Sequence, residues 1–321
     1  MREHRYRVYF AFALVYFFWG STYLAIRIAV EHIPAALLGG VRFLTAGPLM
    51  LAYCALSGRS IALNRKDLLR LLVLAVLLLT GGNVLLCYSE EYVPSGLAAL
   101  IVAVVPLWVA LIEAFIIKGD RLHARGWAGL GLGVAGLVVL LWPDLAPLIL
   151  GGGRTYVHTM MLVATGVVLL GSLSWSVGSV ISRRSQLGVG PFAATGWEMT
   201  LAGAVNLLLA TAIGDWHQVQ WSPRGLAAVA YLIVFGSWVG FTAYIWLLEH
   251  VPTPKVATYA YVNPIVALII GWLVAGERID RYIVIGAAVI VAAVALVSSS
   301  KLASVTQASK KESLPACEAE A

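Results

Sequence analysis

Charge is scarce in this chain. Asp, Glu, Lys and Arg make up 12% of its 321 residues, 60% are hydrophobic, and the mean hydropathy is +0.88. Soluble domains carry roughly twice that share of charge, so the composition excludes a water-solvated fold and implies a membrane protein. Cysteine is also rare: Cys54, Cys87 and Cys317 offer neither a disulfide framework nor a metal spacing. Six histidines scatter through the tail, loops and helix ends, leaving no HExxH, no paired-aspartate motif and no serine with a histidine partner. An intramembrane enzyme has nothing to work with here. Gly151, Gly152 and Gly153 lack the lysine of a phosphate loop. Without an ATP-binding motif, any pumping must draw on a gradient. No ring of acidic residues or filter-like loop points to a channel, and no metal or cofactor is implied.

What the chain has is long apolar runs. A helix needs roughly 20 apolar residues to cross a bilayer, and ten such runs can be marked: 8–28, 34–56, 68–88, 94–116, 126–142, 157–181, 192–213, 225–247, 254–275 and 282–299. The first is longer than a signal-peptide core, contains Arg27 and lacks a small-residue cleavage site, so it reads as a mature helix. Positive charge is retained on the cytoplasmic side. With the N-terminus inside, that side collects sixteen of the 22 Lys and Arg residues and the outer side five, with Arg42 within a span. The net charge of +6 is therefore a topology signal, and no nucleic acid is expected as a partner. The tail at 300–321 lacks aromatics and is expected to be disordered and cytoplasmic.

Shifting the second half back by 156 to 158 residues superimposes unlike features: Trp19 on Trp175, Arg27 on Arg183, Gly82 on Gly240, Glu91 on Glu249, Pro94 on Pro252 and Pro106 on Pro264. After one deletion, 119–122 (GDRL) meets 276–279 (GERI), and Gly129 meets Gly286. Two five-helix units are expected, at 8–142 and 157–299. Because five is odd, the second unit enters the membrane from the opposite face, giving ten transmembrane helices as two inverted repeats, the architecture of alternating-access carriers. Pro94 and Pro252 suit helix starts, where a missing N–H is harmless. Pro106 and Pro264 lie about 18 Å further along, by helix rise, and free the carbonyls of Val102 and Ala260. An unpaired carbonyl is expensive in hydrocarbon. Each proline is thus expected to be a hinge or to border a cavity.

Four motifs in order, FFWGSTYLAIRIAV at 17–30, GVRFLTAGPL at 40–49, VPSGLAALIVAVVPLW at 93–108 and TYAYVNPIVALIIGWLVAGERI at 258–279, resemble the EamA family of the drug/metabolite transporter superfamily. The similarity covers residues 8–298, nearly the whole chain, and is greatest to bacterial inner-membrane exporters. It implies a ten-helix bundle in which the first four helices of each repeat surround a central cavity. It also implies export of small organic solutes such as amino acids, metabolites or amphipathic drugs. Two departures stand out: Asp120 stands where the second repeat has Glu277, and the arginine of the second helix is not repeated in the seventh.

The candidate substrate-binding residues follow from charge and polarity inside the spans. A charge there faces the bundle interior or a partner. Arg42 lies in the second span, and its mate at an offset of 156 is Glu198; by helix rise the two fall within roughly 10 Å in depth. Arg42 is expected to attract a substrate carboxylate or to pair with Glu198. Glu198 is expected to take up a proton during the cycle, so protons join the small-molecule substrate and the bilayer as partners. A permanent ion pair, or side chains snorkelling to opposite faces, stays open as an alternative. Trp19, Tyr23, Asn83, Trp175, Tyr244 and Asn263 sit where a cavity wall can use stacking, cation–π contact or hydrogen bonds.

Glu113 is expected to reach interfacial water or Lys118, and Glu90, Glu91 and Glu249 to reach water at helix ends. Arg27 and Arg183 complement helix dipoles. Gly126, Gly129, Gly133 and Gly136 form a stripe suited to close packing within the molecule or to a dimer contact. A monomer or weak homodimer fits either use. The competing function is a facilitative carrier or channel without proton coupling, and saturation and trans-stimulation of flux separate these classes.

Overall fold

The structure is a computed structural model describing residues 2–115, 124–150, 156–251, 253–256 and 258–312. The helix-start role of Pro252, the 119–122 segment with Asp120, Lys118, the triple glycine at 151–153 and Cys317 fall outside the described residues. Everything regular among the described residues is helical. The helices run α1 (Arg2–Val30), α2 (Ala35–Leu56), α3 (Arg65–Ser89), α4 (Ser95–Phe115), α5 (Ala124–Leu140), α6 (Trp142–Ile149), α7 (Tyr156–Arg184), α8 (Pro191–Ile213), α9 (Pro223–His250), α10 (Tyr259–Ala275) and α11 (Arg281–Glu312).

Seven of these, α1 to α4 and α7 to α9, are long and apolar enough to cross a membrane. Of the other three expected spans, α5 and α10 are apolar but shorter, and α11 carries an apolar stretch at Arg281–Val297. α5 and α10 have 17 residues each, about 26 Å of rise against a hydrocarbon core of about 30 Å. α10 is short because the chain breaks at Thr258, after a single turn at Thr253–Val256. α11 continues beyond 299, where the sequence led us to expect disorder, because KLASVTQASKKE is built largely of helix formers. The short α6 lies between expected spans: Pro143 opens it within its first turn, where proline is tolerated.

The central prolines behave differently. α4 is interrupted at Ala103 and Val104, and Pro106 lies in the first turn of its second segment, Val105–Phe115. Pro264 sits inside continuous α10, with the break six residues earlier at Thr258. Only in α4 does the interruption fall next to the proline.

Packing follows small residues. α2 lies along α8, and α5 along α11. At the first interface, an added side chain on Gly40 would meet Leu207, and one on Gly196 would meet Leu51; Gly47 abuts Thr200, and Gly203 abuts the Leu44 backbone. Each contact is the other's counterpart at an offset of 156. The second interface repeats the arrangement at 157: Gly129 meets Val297 and Gly286 meets Leu140. Gly133 faces Leu107 of α4 and Gly136 faces Ile290 of α11, so Gly129, Gly133 and Gly136 pack inside the molecule. Small residues let backbones approach where lipid offers no hydrophobic drive. The same exchange holds around the centre, where α1 packs on α9 and α10, and α7 on α3 and α4.

α3 and α9 share a feature that no sequence pattern announced. Each winds into a π-helix, at Ala75–Val84 and Leu232–Val239, starting 157 residues apart. Such segments tend to occur at functional sites.

Candidate functional site

The π segments set glycines beneath tryptophans of the opposite half. Trp175 of α7 lies over Gly82 of α3, and Trp19 of α1 lies over Gly240 of α9; a Cβ on either glycine would collide with the indole. Trp19 Nε1 also donates to the carbonyl of Gly236, within the second π segment, at 3.2 Å. The two indoles therefore seat against helices of the opposite half because glycine leaves room for them.

Around them lie two adjacent spaces. A central pocket of about 130 Å³ is walled by Trp19, Tyr23, Arg42, Phe43, Asn83, Ser172, Trp175, Phe241 and Asn263, among others. Positions 19, 23 and 26 of α1, and 168, 171, 172 and 175 of α7, are at helical spacing and share one face. A larger vestibule of about 710 Å³ reaches the end of the bundle that carries Arg183 and contains Glu198, Tyr244, Pro106, Ser179, Tyr259 and Ala260. Trp19, Leu79, Trp175 and Phe241 border both spaces and form the partition between them. Trp19 is locked there by rings at 5.0 to 5.2 Å: Phe241, Tyr244 and Tyr259.

Six of the eight expected side chains thus share the pocket, and the remaining two, Glu198 and Tyr244, line the vestibule. Val102 lines the pocket and Ala260 the vestibule, so both residues whose carbonyls the prolines release border a cavity. Pro264 itself is buried and lines neither space.

The expected Arg42–Glu198 pair is not formed. Arg42 is 5% exposed; its Nε donates to Ser237 Oγ at 3.1 Å and its guanidinium lies 4.9 Å from the Phe43 ring centre. No ion pair and no Nη hydrogen bond to Arg42 occurs among the described residues. Depth alone misled here, because the two residues point into different spaces on either side of the partition. Among the described residues Asn263, 6% exposed, leaves its Oδ1 without a hydrogen-bond partner, and Asn83 Oδ1 is approached by the Cys87 thiol at 3.8 Å. The pocket therefore offers one cation, unpaired amide oxygen and aromatic walls.

Other expectations are corrected at the helix ends. Glu113 pairs with Arg183 at 2.7 Å, a partner the sequence did not suggest, and its expected contact with Lys118 lies outside the described residues. Glu90 does not reach water: it is fully buried, and Arg27 Nη1 donates to its backbone carbonyl. Phe43, Ser172 and Phe241, which line the pocket, and Ser237, which accepts from Arg42, were not among the residues expected there. The glycine pair at 82 and 240 was the one sequence signal near them.

The profile of the EamA-like transporter family matches residues 7–142 and again 162–299. The chain belongs to the EamA-like transporter family. It is 37% identical over 292 residues, 90% of each chain, to a protein of Escherichia coli K12 described as the uncharacterized inner membrane transporter YedA. It is 24% identical to the uncharacterized transporter YoaV of Bacillus subtilis, over 85% of this chain and 90% of that one. A WAT1-related chloroplastic protein of Arabidopsis thaliana is 25% identical, over 88% and 67%. A solved crystal structure superposes with a TM-score of 0.60 at 20% identity, covering 91% and 95% of the two chains, which is a likeness of fold. As a family member, the protein is a membrane transporter of small molecules and not an enzyme.

Proposed function

We propose that this chain is a secondary transporter that exports small organic anions or zwitterions, amino acids and aromatic carboxylates foremost, across the inner membrane by alternating access. It would do so as two inverted five-helix repeats, 8–142 and 157–299, making ten crossings with the N- and C-termini cytoplasmic. The reciprocal glycine contacts at offsets of 156 and 157 support the repeat. The Arg183 end, which also carries Arg59, Arg65, Lys66 and Arg184, is the cytoplasmic one by charge.

The observation that carries the substrate class is Arg42. A guanidinium in a span is held by an anion or by a cavity, and no carboxylate of the described residues pairs with it. A substrate carboxylate seated against Arg42 would supply the missing charge, with Asn83 and Asn263 for an amino or hydroxyl group and Trp19, Tyr23 and Trp175 for an apolar or aromatic body. The small pocket suits a metabolite, and the vestibule admits it from the cytoplasm. Glu198, in the vestibule, is the group we assign to proton exchange with the cytoplasm.

Uptake of labelled amino acids and small aromatic acids into proteoliposomes, with and without a pH gradient, tests this. Saturable uptake that falls about tenfold or more in Arg42→Ala and is not restored by Arg42→Lys is expected. Uptake unaffected by Arg42→Ala would remove Arg42 from the path. Flux that never saturates and shows no trans-stimulation would indicate a channel. Glu198→Gln is expected to abolish the gradient dependence; gradient-independent saturable flux in the wild type would indicate a facilitator.

A further inference from the structure

The end opposite the vestibule is closed by packing and by an unusual group of charges. Ile26, Ile33, Leu37, Leu38, Leu100 and Ile101 there are among the largest fully buried side chains. Three helix ends and one turn meet above them. Glu277, in the turn between α10 and α11, reaches to the start of α4, where its Oε1 accepts from Ser95 N–H at 2.8 Å and its Oε2 from Gly96 N–H at 3.0 Å. Arg27, near the end of α1, donates to the backbone carbonyl of Glu90 at the end of α3. The Glu90 carboxyl is 0% exposed, and neither oxygen has a hydrogen-bond partner among the described residues.

A carboxylate buried without a partner is expensive, whereas the protonated acid is far less so. The neighbours decide the balance. Glu277 opposes ionisation of Glu90 and Arg27 favours it. Tyr23 on α1 and Cys87 on the same helix as Glu90 lie within its electrostatic reach, with Arg42 of α2 acting on Cys87 from deeper in the bundle. Glu91 next in sequence acts on Cys87 and is itself acted on by Arg27 and Asp215. From α7, His158 is engaged with Asp144 of α6 at 2.8 Å. α4 presents its N-terminus and Ser95. One guanidinium, already bonded to a carbonyl, stands against two carboxylates, one of which is fixed by two backbone N–H groups.

We infer that the Arg27, Glu90 and Glu277 cluster is the latch of the outer gate, and that Glu90 holds a proton while the latch is closed. The inference rests on the alternating-access reading above. Burial, with Glu277 behind it, holds the Glu90 carboxyl well above the usual carboxylate range. When the outer end opens, water reaches Glu90, its proton affinity returns toward the ordinary value, and the proton leaves to the outer medium. Because the closed form binds the proton more tightly, outer acid favours closure. Closure weakens as pH rises through the raised value. The proton returns to the side it came from, so Glu90 gates the cycle and does not couple it.

Hydrogen–deuterium exchange of the full-length protein in lipid nanodiscs reads the latch directly, because the amides of Ser95 and Gly96 are bonded to Glu277. After correction for intrinsic rates, wild-type exchange in the 92–97 segment is expected to rise about tenfold between about pH 5.5 and about pH 8. Glu90→Gln should stay protected at both values, and Glu277→Ala should exchange fast at both. Equal wild-type protection at both pH values, or an unchanged pH response in Glu90→Gln, overturns the proposal; should that variant fold poorly, the wild-type series alone decides. The readout needs no substrate. A pH-responsive latch without any flux would therefore count against the transport reading and not against the latch.

Discussion

Arg27 and Arg183 occupy equivalent places in the two repeats, yet their surroundings are opposite. Arg27 is half-buried and ties the end of α1 to the Glu90 carbonyl at the end of α3, over a packed apolar floor. Arg183 has 54% of its side chain exposed and stands on the rim of the vestibule, where it pairs with Glu113. The α2–α8 and α5–α11 interfaces, by contrast, are nearly exchange-symmetric. The difference separates the regions that match between the two repeats from those that do not. Glycine-lined pairs form the frame, and under the proposed alternating access the ends of α1, α3, α4 and their mates are the parts that would exchange between a closed and an open face.

The largest effect should come from breaking the frame. A Cβ on Gly203 would lie 2.3 Å from the backbone nitrogen of Leu44, and backbone cannot yield as a side-chain tip can. Gly203→Leu is expected to destabilise the fold by about 3 kcal/mol or more, read as loss of the monodisperse peak and of the thermal transition in detergent. Gly131, on α5 but with nothing within 4 Å, is the control; Gly131→Ala should be neutral or stabilise by about 0.5 kcal/mol. The partition comes next. Trp19→Ala should open the pocket to the vestibule and weaken substrate affinity by about tenfold in titrations of a transported ligand. Trp175→Ala should do less, because Trp19 alone donates to a backbone carbonyl and contacts three rings. Equal losses would mean that the ring cluster adds nothing. Smaller still are the caps of the two mated helices. Asn64 accepts from Asp67 N–H at the start of α3, and Ser222 accepts from Gly225 N–H at the start of α9. Asn64→Ala and Ser222→Ala should each lower stability by about 1 kcal/mol without altering the protection of the latch amides.

Much of this was legible because membrane physics leaves its mark on sequence. Apolar runs gave the helices, and the repeat spacing correctly paired tryptophans, glycines and arginines that the fold brings to related places. Six pocket residues were found because a polar or aromatic group inside a span must face something other than lipid. What escaped depends on the third dimension. A π segment such as Ala75–Val84 changes the hydrogen-bond register without changing composition. The Arg42–Glu198 pair was inferred from depth, but depth says nothing about azimuth, and a partition of Trp19 and Trp175 lies between their two spaces. Glu90 adjoins a helix end, where carboxylates normally meet water; only the packing of α1, α4 and the 277 turn around it reveals that it is enclosed.

The finest test of the two ends concerns the exposed pair. Glu113 and Arg183, 27% and 54% exposed, lie where water and salt screen them, so a double-mutant cycle on thermal stability should give a coupling of about 0.5 kcal/mol. That small value is what the proposed alternating access needs. If Arg183 is to leave Glu113 and reach the carbonyls at the end of α9 when the inner face closes, as Arg27 reaches Glu90 now, its present bond must be weak enough to exchange. Glu113→Gln should therefore leave stability almost unchanged while shifting the population toward the inner-closed form, seen as slower exchange at 182–187 and faster exchange at 92–97. A coupling several times larger would make the pair a structural clamp, and the equivalence of the two arginines would then be one of position only.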